Sequence, residues 1–189
     1  MPTKTIAVTR ILPDAGMALL REAESSGEAM LHVWEQELPP KPSELTMLLD
    51  AADGAITLVT DKIDGPVLDA VPTLKVVSNF AVGYDNIDVE AATKRGVAVC
   101  NTPGVLTETT ADFAFALLMA AARRVVEGAD YVRAGKWQTW GPTLFLGRDL
   151  HGATLGIVGF GRIGKERAKR ARGFDMTILA YDPYHDDEA

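Results

Sequence analysis

The stretch Leu155-Gly156-Ile157-Val158-Gly159-Phe160-Gly161-Arg162-Ile163-Gly164 decides the fold of the C-terminal part of the chain. An apolar run passes directly into three glycines spaced G-x-G-x-x-G, and a charged segment of helical character follows to Arg172. In such a strand–turn–helix unit each glycine has its own task. Gly159 permits the tight turn, Gly161 lets the backbone approach a pyrophosphate, and Gly164 lets helix and strand pack closely. The helix N-terminus, with Arg162 and Ile163 in its first turn, offers N–H donors and a partial positive charge to phosphates. A second apolar run, Met176 to Tyr181, ends at Asp182, 18 residues beyond Gly164. A carboxylate at that place accepts hydrogen bonds from the ribose hydroxyls of a dinucleotide. It repels a 2′-phosphate, and no arginine follows in Pro183-Tyr184-His185-Asp186-Asp187, so NAD is expected rather than NADP. The basic residues Lys165, Arg167, Lys169, Arg170 and Arg172 of the same helix are expected to form a solvated face.

Upstream, β-branched runs alternate with helical patterns. Thr5–Thr9, Met30–Trp34, Gly54–Val59, Leu74–Ser78 and Val97–Cys100 read as strands. Between them lie a helix opened by Pro13-Asp14, a helix over Ser43–Ala52, a short helix capped by Asp64 with Pro66 in its first turn, and a helix from Asp88 that stops at Gly96. Strands alternating with helices predict a parallel sheet covered on both faces, an α/β domain of the flavodoxin-like kind over residues 1–101. Residues 102–189 are expected to form a linker helix and the first βαβ of an incomplete Rossmann dinucleotide-binding domain. Thr109 or Thr110 can cap a long helix starting at Ala111. Its buried stripe is predicted at Ala114, Leu117, Leu118, Ala121 and Val125, with a bend near Gly128. Lys136 to His151, with Trp137 and Trp140, lacks a regular pattern.

The 189 residues carry a net charge of −7, which argues against a nucleic-acid footprint, since that needs clustered Lys and Arg. The single cysteine, Cys100, excludes an intrachain disulfide and a multi-cysteine metal site; ending an apolar run, it is expected to pack as a small hydrophobe. No segment has the length of a membrane span and the N-terminus has no apolar signal core, so a cytoplasmic protein without membrane partners is expected.

Three motifs in order carry a family resemblance. These are Phe80-Ala81-Val82-Gly83-Tyr84-Asp85-Asn86-Ile87-Asp88, then Asn101-Thr102-Pro103-Gly104-Val105-Leu106-Thr107-Glu108-Thr109-Thr110-Ala111-Asp112, then Leu155 to Gly164. Together they resemble the D-isomer-specific 2-hydroxyacid dehydrogenases. Lys136-Trp137-Gln138-Thr139-Trp140-Gly141-Pro142 is most similar to the glyoxylate/hydroxypyruvate reductase branch, with a phosphoglycerate dehydrogenase-like enzyme as the alternative within the class. The resemblance implies a flavodoxin-like substrate domain, a Rossmann cofactor domain and reversible hydride transfer between NAD and a small 2-oxo or 2-hydroxy acid. It implies that Val82 and Gly83 hold the substrate carboxylate through backbone N–H groups. A tight strand-to-helix turn is the other reading of that segment. Thr110 matches a position that reaches the cofactor, with a plain helix cap as its main role. Arg162, Ile163 and Asp182 carry over to the dinucleotide site. A homodimer is implied too, the long helix and Trp137/Trp140 fitting that role.

The family's catalytic arginine, glutamate and histidine are matched by no residue of this sequence. His32 falls in a strand, His151 in a loop and His185 in a polar tail, none within the catalytic motif. The expectation is therefore the N-terminal part of a dehydrogenase, inactive as an isolated chain. The alternative is a short non-catalytic dinucleotide-binding or interaction module.

Overall fold

The computed structural model describes residues 3–184; His185, Asp186 and Asp187 of the polar tail lie outside the described residues. The chain divides into two compact units, Met1–Pro103 and Gly104–Ala189.

In the first unit five strands, β1 (Lys4–Val8), β2 (Ala29–Val33), β3 (Gly54–Thr57), β4 (Val76–Asn79) and β5 (Ala98–Cys100), alternate with α1 (Asp14–Ser25), α2 (Pro42–Leu49), α3 (Gly65–Ala70) and α4 (Val89–Lys94). All pairings are parallel, in the order β2-β1-β3-β4-β5. That order is the flavodoxin-like one, in which the direction of winding reverses between β1 and β3. Register sets Ile6 beside Gly54, Gly54 beside Val76 and Val76 beside Ala98, so the strands end together and their C-terminal loops share one edge. Ala7, Ala55 and Val77 from adjacent strands join Leu45, Leu49, Ile63, Leu68, Val71 and Leu74 in one buried cluster. The helix starts follow the sequence: Asp64 accepts the N–H of Val67 at 3.2 Å and Asp88 that of Ala91 at 2.9 Å. Cys100 differs from expectation. It lies exposed at the end of β5, the sheet's edge strand, where no further strand covers it.

The second unit contains α5 (Thr107–Ala122), α6 (Val125–Arg133), β6 (Thr154–Val158), α7 (Arg162–Arg172) and β7 (Thr177–Tyr181). β6 and β7 pair in parallel, Thr154 beside Thr177 through Val158 beside Tyr181. Three expectations are corrected here. First, α5 begins at Thr107 and not at Ala111. Gly104, at φ +84°, turns the chain so that its carbonyl accepts the Thr107 N–H, and Thr110 lies inside the helix with its N–H on the Leu106 carbonyl at 2.9 Å. Second, the helix breaks at Arg124 (φ +52°) and not near Gly128. Gly147 packs on the Ala122 carbonyl and the Arg148 N–H donates to that carbonyl at 2.8 Å, so the last turn is closed from outside the helix. Third, the buried stripe runs through Ala111 and Phe115, while Leu117 and Val125 are exposed. The Phe115 ring meets Phe174 at 5.2 Å, which fixes the buried face toward α7.

The basic face of α7 is only partly solvated. Lys165, Lys169 and Arg172 are exposed, whereas Arg170 is largely covered and bridges Glu108 and Asp112 of α5 and Glu166 of its own helix. Hydrogen bonds from Lys169 and then Arg170 hold the Glu166 carboxyl below its ordinary pKa. Among the described residues no helix is long and apolar enough to cross a membrane.

Leu49 is fully buried in the first unit's core. Leu49→Ala is expected to lower the unfolding free energy by about 2–5 kcal/mol in a urea titration, through the cavity it leaves.

Candidate functional site

In the second unit the turn from β6 into α7 brings together six of the residues expected to bind a dinucleotide. Gly159 sits at φ +88°, a conformation that side chains resist, and its N–H donates to the Tyr181 carbonyl at 2.8 Å. Gly164 is buried: a Cβ there would lie 2.2 Å from the Gly159 carbonyl oxygen, so α7 packs on the end of β6 only because this residue has no side chain. Gly161 is different. It is the N-cap of α7, in extended conformation, and a Cβ built on it meets nothing within 4 Å. Backbone strain and packing therefore do not demand glycine at 161, whereas a ligand lying against the main chain would.

No side chain caps α7. The N–H groups of its first turn, those of Arg162 and Ile163 included, are the donors a helix leaves without intrahelical partners, and they gather the positive end of the helix dipole. Arg162 is exposed at this end and Ile163 half-buried. Asp182 follows β7 directly. One carboxylate oxygen accepts the Phe160 N–H at 2.7 Å and the other the Tyr184 N–H at 2.9 Å, which ties the acid to the glycine turn. Glycines, first-turn donors and carboxylate thus lie at the C-terminal ends of two parallel strands, a position suited to a pyrophosphate and its adjoining ribose. Thr110 is half-buried inside α5, and no hydrogen bond among the described residues joins it to this turn.

In the first unit Val82 and Gly83 lie in the loop after β4, at the sheet's C-terminal edge, Val82 half-buried and Gly83 exposed. Neither N–H has an acceptor within the chain among the described residues. Their carbonyls are taken: Asn101 Nδ2 donates to Val82 O at 2.7 Å, and Asn79 Nδ2 to Gly83 O at 2.9 Å. Asn79 is wholly buried. Its second amide hydrogen goes to Asn86 Oδ1 and its own oxygen accepts from the Thr57 hydroxyl at 3.0 Å. Asn86 in turn donates to the carbonyls of Leu58 and Asp61. Sequence reading missed this amide network, although Asn86 and Asn101 stand inside motifs it quoted. The available signal was an asparagine closing a strand just ahead of a glycine-containing loop.

Among the described residues, His32 and His151 gain no partner arrangement suited to proton transfer. His32 lies on the edge strand β2. His151 Nε2 is 3.1 Å from Asp175 Oδ2, but both side chains are more than three-quarters exposed, where water screens the pair.

The profile of the family described as "D-isomer specific 2-hydroxyacid dehydrogenase, catalytic domain" matches residues 6–181. The glyoxylate reductase of Korarchaeum cryptofilum is 54% identical over 178 residues, 94% of this chain and 52% of that protein. The crystal structure of the TT0316 protein from Thermus thermophilus superposes with a TM-score of 0.88 at 46% identity, covering 97% of this chain and 57% of the other. The D-lactate dehydrogenase of Aquifex aeolicus, complexed with NAD and lactic acid, does so with a TM-score of 0.77 at 25% identity, covering 98% and 53%. The chain therefore spans about half the length of these relatives.

The two glycines separate by experiment. Gly164→Ala forces a Cβ onto a backbone oxygen and is expected to cost at least about 1–3 kcal/mol of stability. Gly161→Ala enters open space and is expected to stay within about 1 kcal/mol of the parent. Equal losses in thermal or urea unfolding would contradict the packing described for α7.

Proposed function

Because the chain belongs to the D-isomer specific 2-hydroxyacid dehydrogenase family, we propose that it provides the substrate-carboxylate loop and the dinucleotide turn of a cytoplasmic, NAD-dependent reductase of small 2-oxo acids of the glyoxylate type. The observation that carries this reading is the contrast within one motif: Gly164 is required by packing, while Gly161 faces free space that a ligand can use. In this reading a bound nicotinamide would supply reversible hydride exchange with the 2-oxo carbon, the accompanying proton coming from a group outside those assigned here. The chain's own residues do the holding. First-turn N–H groups at Arg162 and Ile163 hold the pyrophosphate, and the Arg162 side chain adds a positive charge at the same helix end. Asp182, held beside the glycine turn by the Phe160 and Tyr184 N–H groups, is read as the carboxylate that meets the adenosine ribose, which favours NAD over NADP. The N–H groups of Val82 and Gly83 hold the substrate carboxylate.

Residues 1–101 are read as the substrate-side domain and 102–189 as the linker helix and part of the cofactor domain. Thr110 keeps a secondary role near the cofactor. Exposed apolar side chains on α5 and α6, among them Phe113, Leu117, Val125 and Val126, together with Trp137 and Trp140, support a homodimer. The chain is read as binding its ligands without turning them over, on the reading that none of its residues serves as the family's acid–base groups.

Fluorescence titration with NADH tests the assignment. The parent is expected to bind, and Gly161→Val, whose Cβ enters open space, is expected to weaken binding about tenfold or more. Asp182→Arg is expected to weaken it as well and to disturb the turn through the loss of its two N–H contacts. Unchanged affinity in Gly161→Val, at an unchanged melting temperature, would remove the dinucleotide assignment. Incubation with NADH and glyoxylate is expected to give no sustained NADH oxidation; steady turnover would show that proton-transfer groups reside among these residues after all.

A further inference from the structure

We propose that Asn101 and Asn79, with Asn86 and Thr57 behind them, are positioning residues that hold three successive peptide groups so that their N–H groups form one anion cradle. The proposal rests on reading the Val82–Gly83 loop as the carboxylate site. It adds what makes that loop a site, namely that its carbonyl groups are tied down one after another.

In a trans peptide the carbonyl of one residue and the N–H of the next point in opposite directions. None of the peptides here is cis. The Ala81 carbonyl accepts the Thr102 N–H at 2.8 Å, which fixes the N–H of Val82 on the far side. Asn101 Nδ2 on the Val82 carbonyl, at 2.7 Å, does the same for the N–H of Gly83. Asn79 Nδ2 on the Gly83 carbonyl, at 2.9 Å, does so for the N–H of Tyr84. Among the described residues none of these three N–H groups has an acceptor within the chain. Each of the three carbonyls is taken up by a partner in the fold, and three N–H donors are left for an external oxygen.

The side chains that do the holding are themselves fixed. Asn79 is fully buried and uses both amide hydrogens and its oxygen, so its amide has one orientation: a flipped group would set its oxygen against the Gly83 carbonyl. Asn86, which receives one of those hydrogens, is anchored on the carbonyls of Leu58 at 3.1 Å and Asp61 at 2.9 Å. Asp61 is also buried and binds the Leu58 N–H at 2.8 Å and the Thr9 hydroxyl, so the anchor reaches the loops after both β1 and β3. Successive N–H groups oriented by the fold bind a carboxylate without any cationic side chain. The ligand class is a small carboxylate, and the placement of its carboxyl group depends on two asparagines that do not touch it.

The test is a 1H–15N NMR titration of the full chain with oxamate, an unreactive analogue of a 2-oxo acid, at constant ionic strength. In the parent the amide resonances of Val82, Gly83 and Tyr84 are expected to move together and saturate. Asn101→Ala removes one clamp from a half-buried position. It is expected to weaken oxamate binding about threefold to tenfold, the effect of one lost hydrogen bond, and to alter the Gly83 amide shift most, while the melting temperature stays close to the parent's. Asn79→Ala is expected to act in the same direction on Tyr84; should this buried variant not fold, Asn101→Ala decides alone. Oxamate affinity unchanged in Asn101→Ala overturns the positioning role. If instead the three amides of the parent do not respond to oxamate, the carboxylate reading of the loop fails first, and the clamp proposal falls with it.

Discussion

At Gly164 the first turn of α7 comes so close to the end of β6 that a Cβ would lie 2.2 Å from the carbonyl oxygen of Gly159. That approach sets most of the geometry of the C-terminal unit. It brings the N-terminus of α7 over the strand ends, beside the point where β7 delivers Asp182. It also turns the far side of α7 toward α5, where Arg170 meets Glu108 and Asp112 and where Phe174, just past the helix, meets Phe115. A side chain at 164 would lift the helix and shift its first-turn N–H groups and the helix–helix contact together. Glycine at 164 works through close approach, and among the three glycines of this turn conformational freedom matters only at 159, where φ is positive.

Both candidate sites are made mainly of backbone. In the second unit the donors are free because a helix leaves its first N–H groups without partners and its N-cap residue has no side chain. In the first unit they are free because asparagines and a neighbouring N–H have taken up the carbonyls on the other side of the same peptides. The two routes end in the same arrangement, oriented dipoles of the kind that can receive an anion without burying a full charge. A buried lysine or arginine would carry a large desolvation cost in either place, whereas N–H groups already fixed by the fold carry little.

The same physics explains how far the sequence could be read. The five strands of the first unit were legible because a parallel sheet covered on both faces needs continuous apolar runs, and Ala7, Ala55 and Val77 sit in such runs. The glycine turn was legible because each glycine answers a separate steric demand at fixed spacing. The ends of α5 were not. Its start depends on the turn at Gly104, and its stop on Gly147 and Arg148 packing against Ala122 from more than twenty residues away. The helix stripe was misplaced for a related reason: periodicity in an alanine- and leucine-rich helix fits several faces, and only Phe174 and the Arg170 ion pairs choose among them. Asn79 was invisible as a site residue because a strand-ending asparagine has no distinctive pattern until its partners at 57, 83 and 86 are placed.

The partner assignments of the amides add a constraint on how the first unit can change. Asn79 joins the end of β4 to the end of β3 through Thr57, and Asn86 joins the loop after β4 to the loop after β3. A displacement of either loop would leave a buried amide or carbonyl without its partner, which costs more than the bond contributed when made. The C-terminal edge of the sheet therefore behaves as one polar layer above an apolar core, and the Val82–Gly83 segment inherits its rigidity. A small anion gives little binding energy with which to order a loop. A loop ordered in advance by its own asparagines lets that energy appear as affinity and orientation instead.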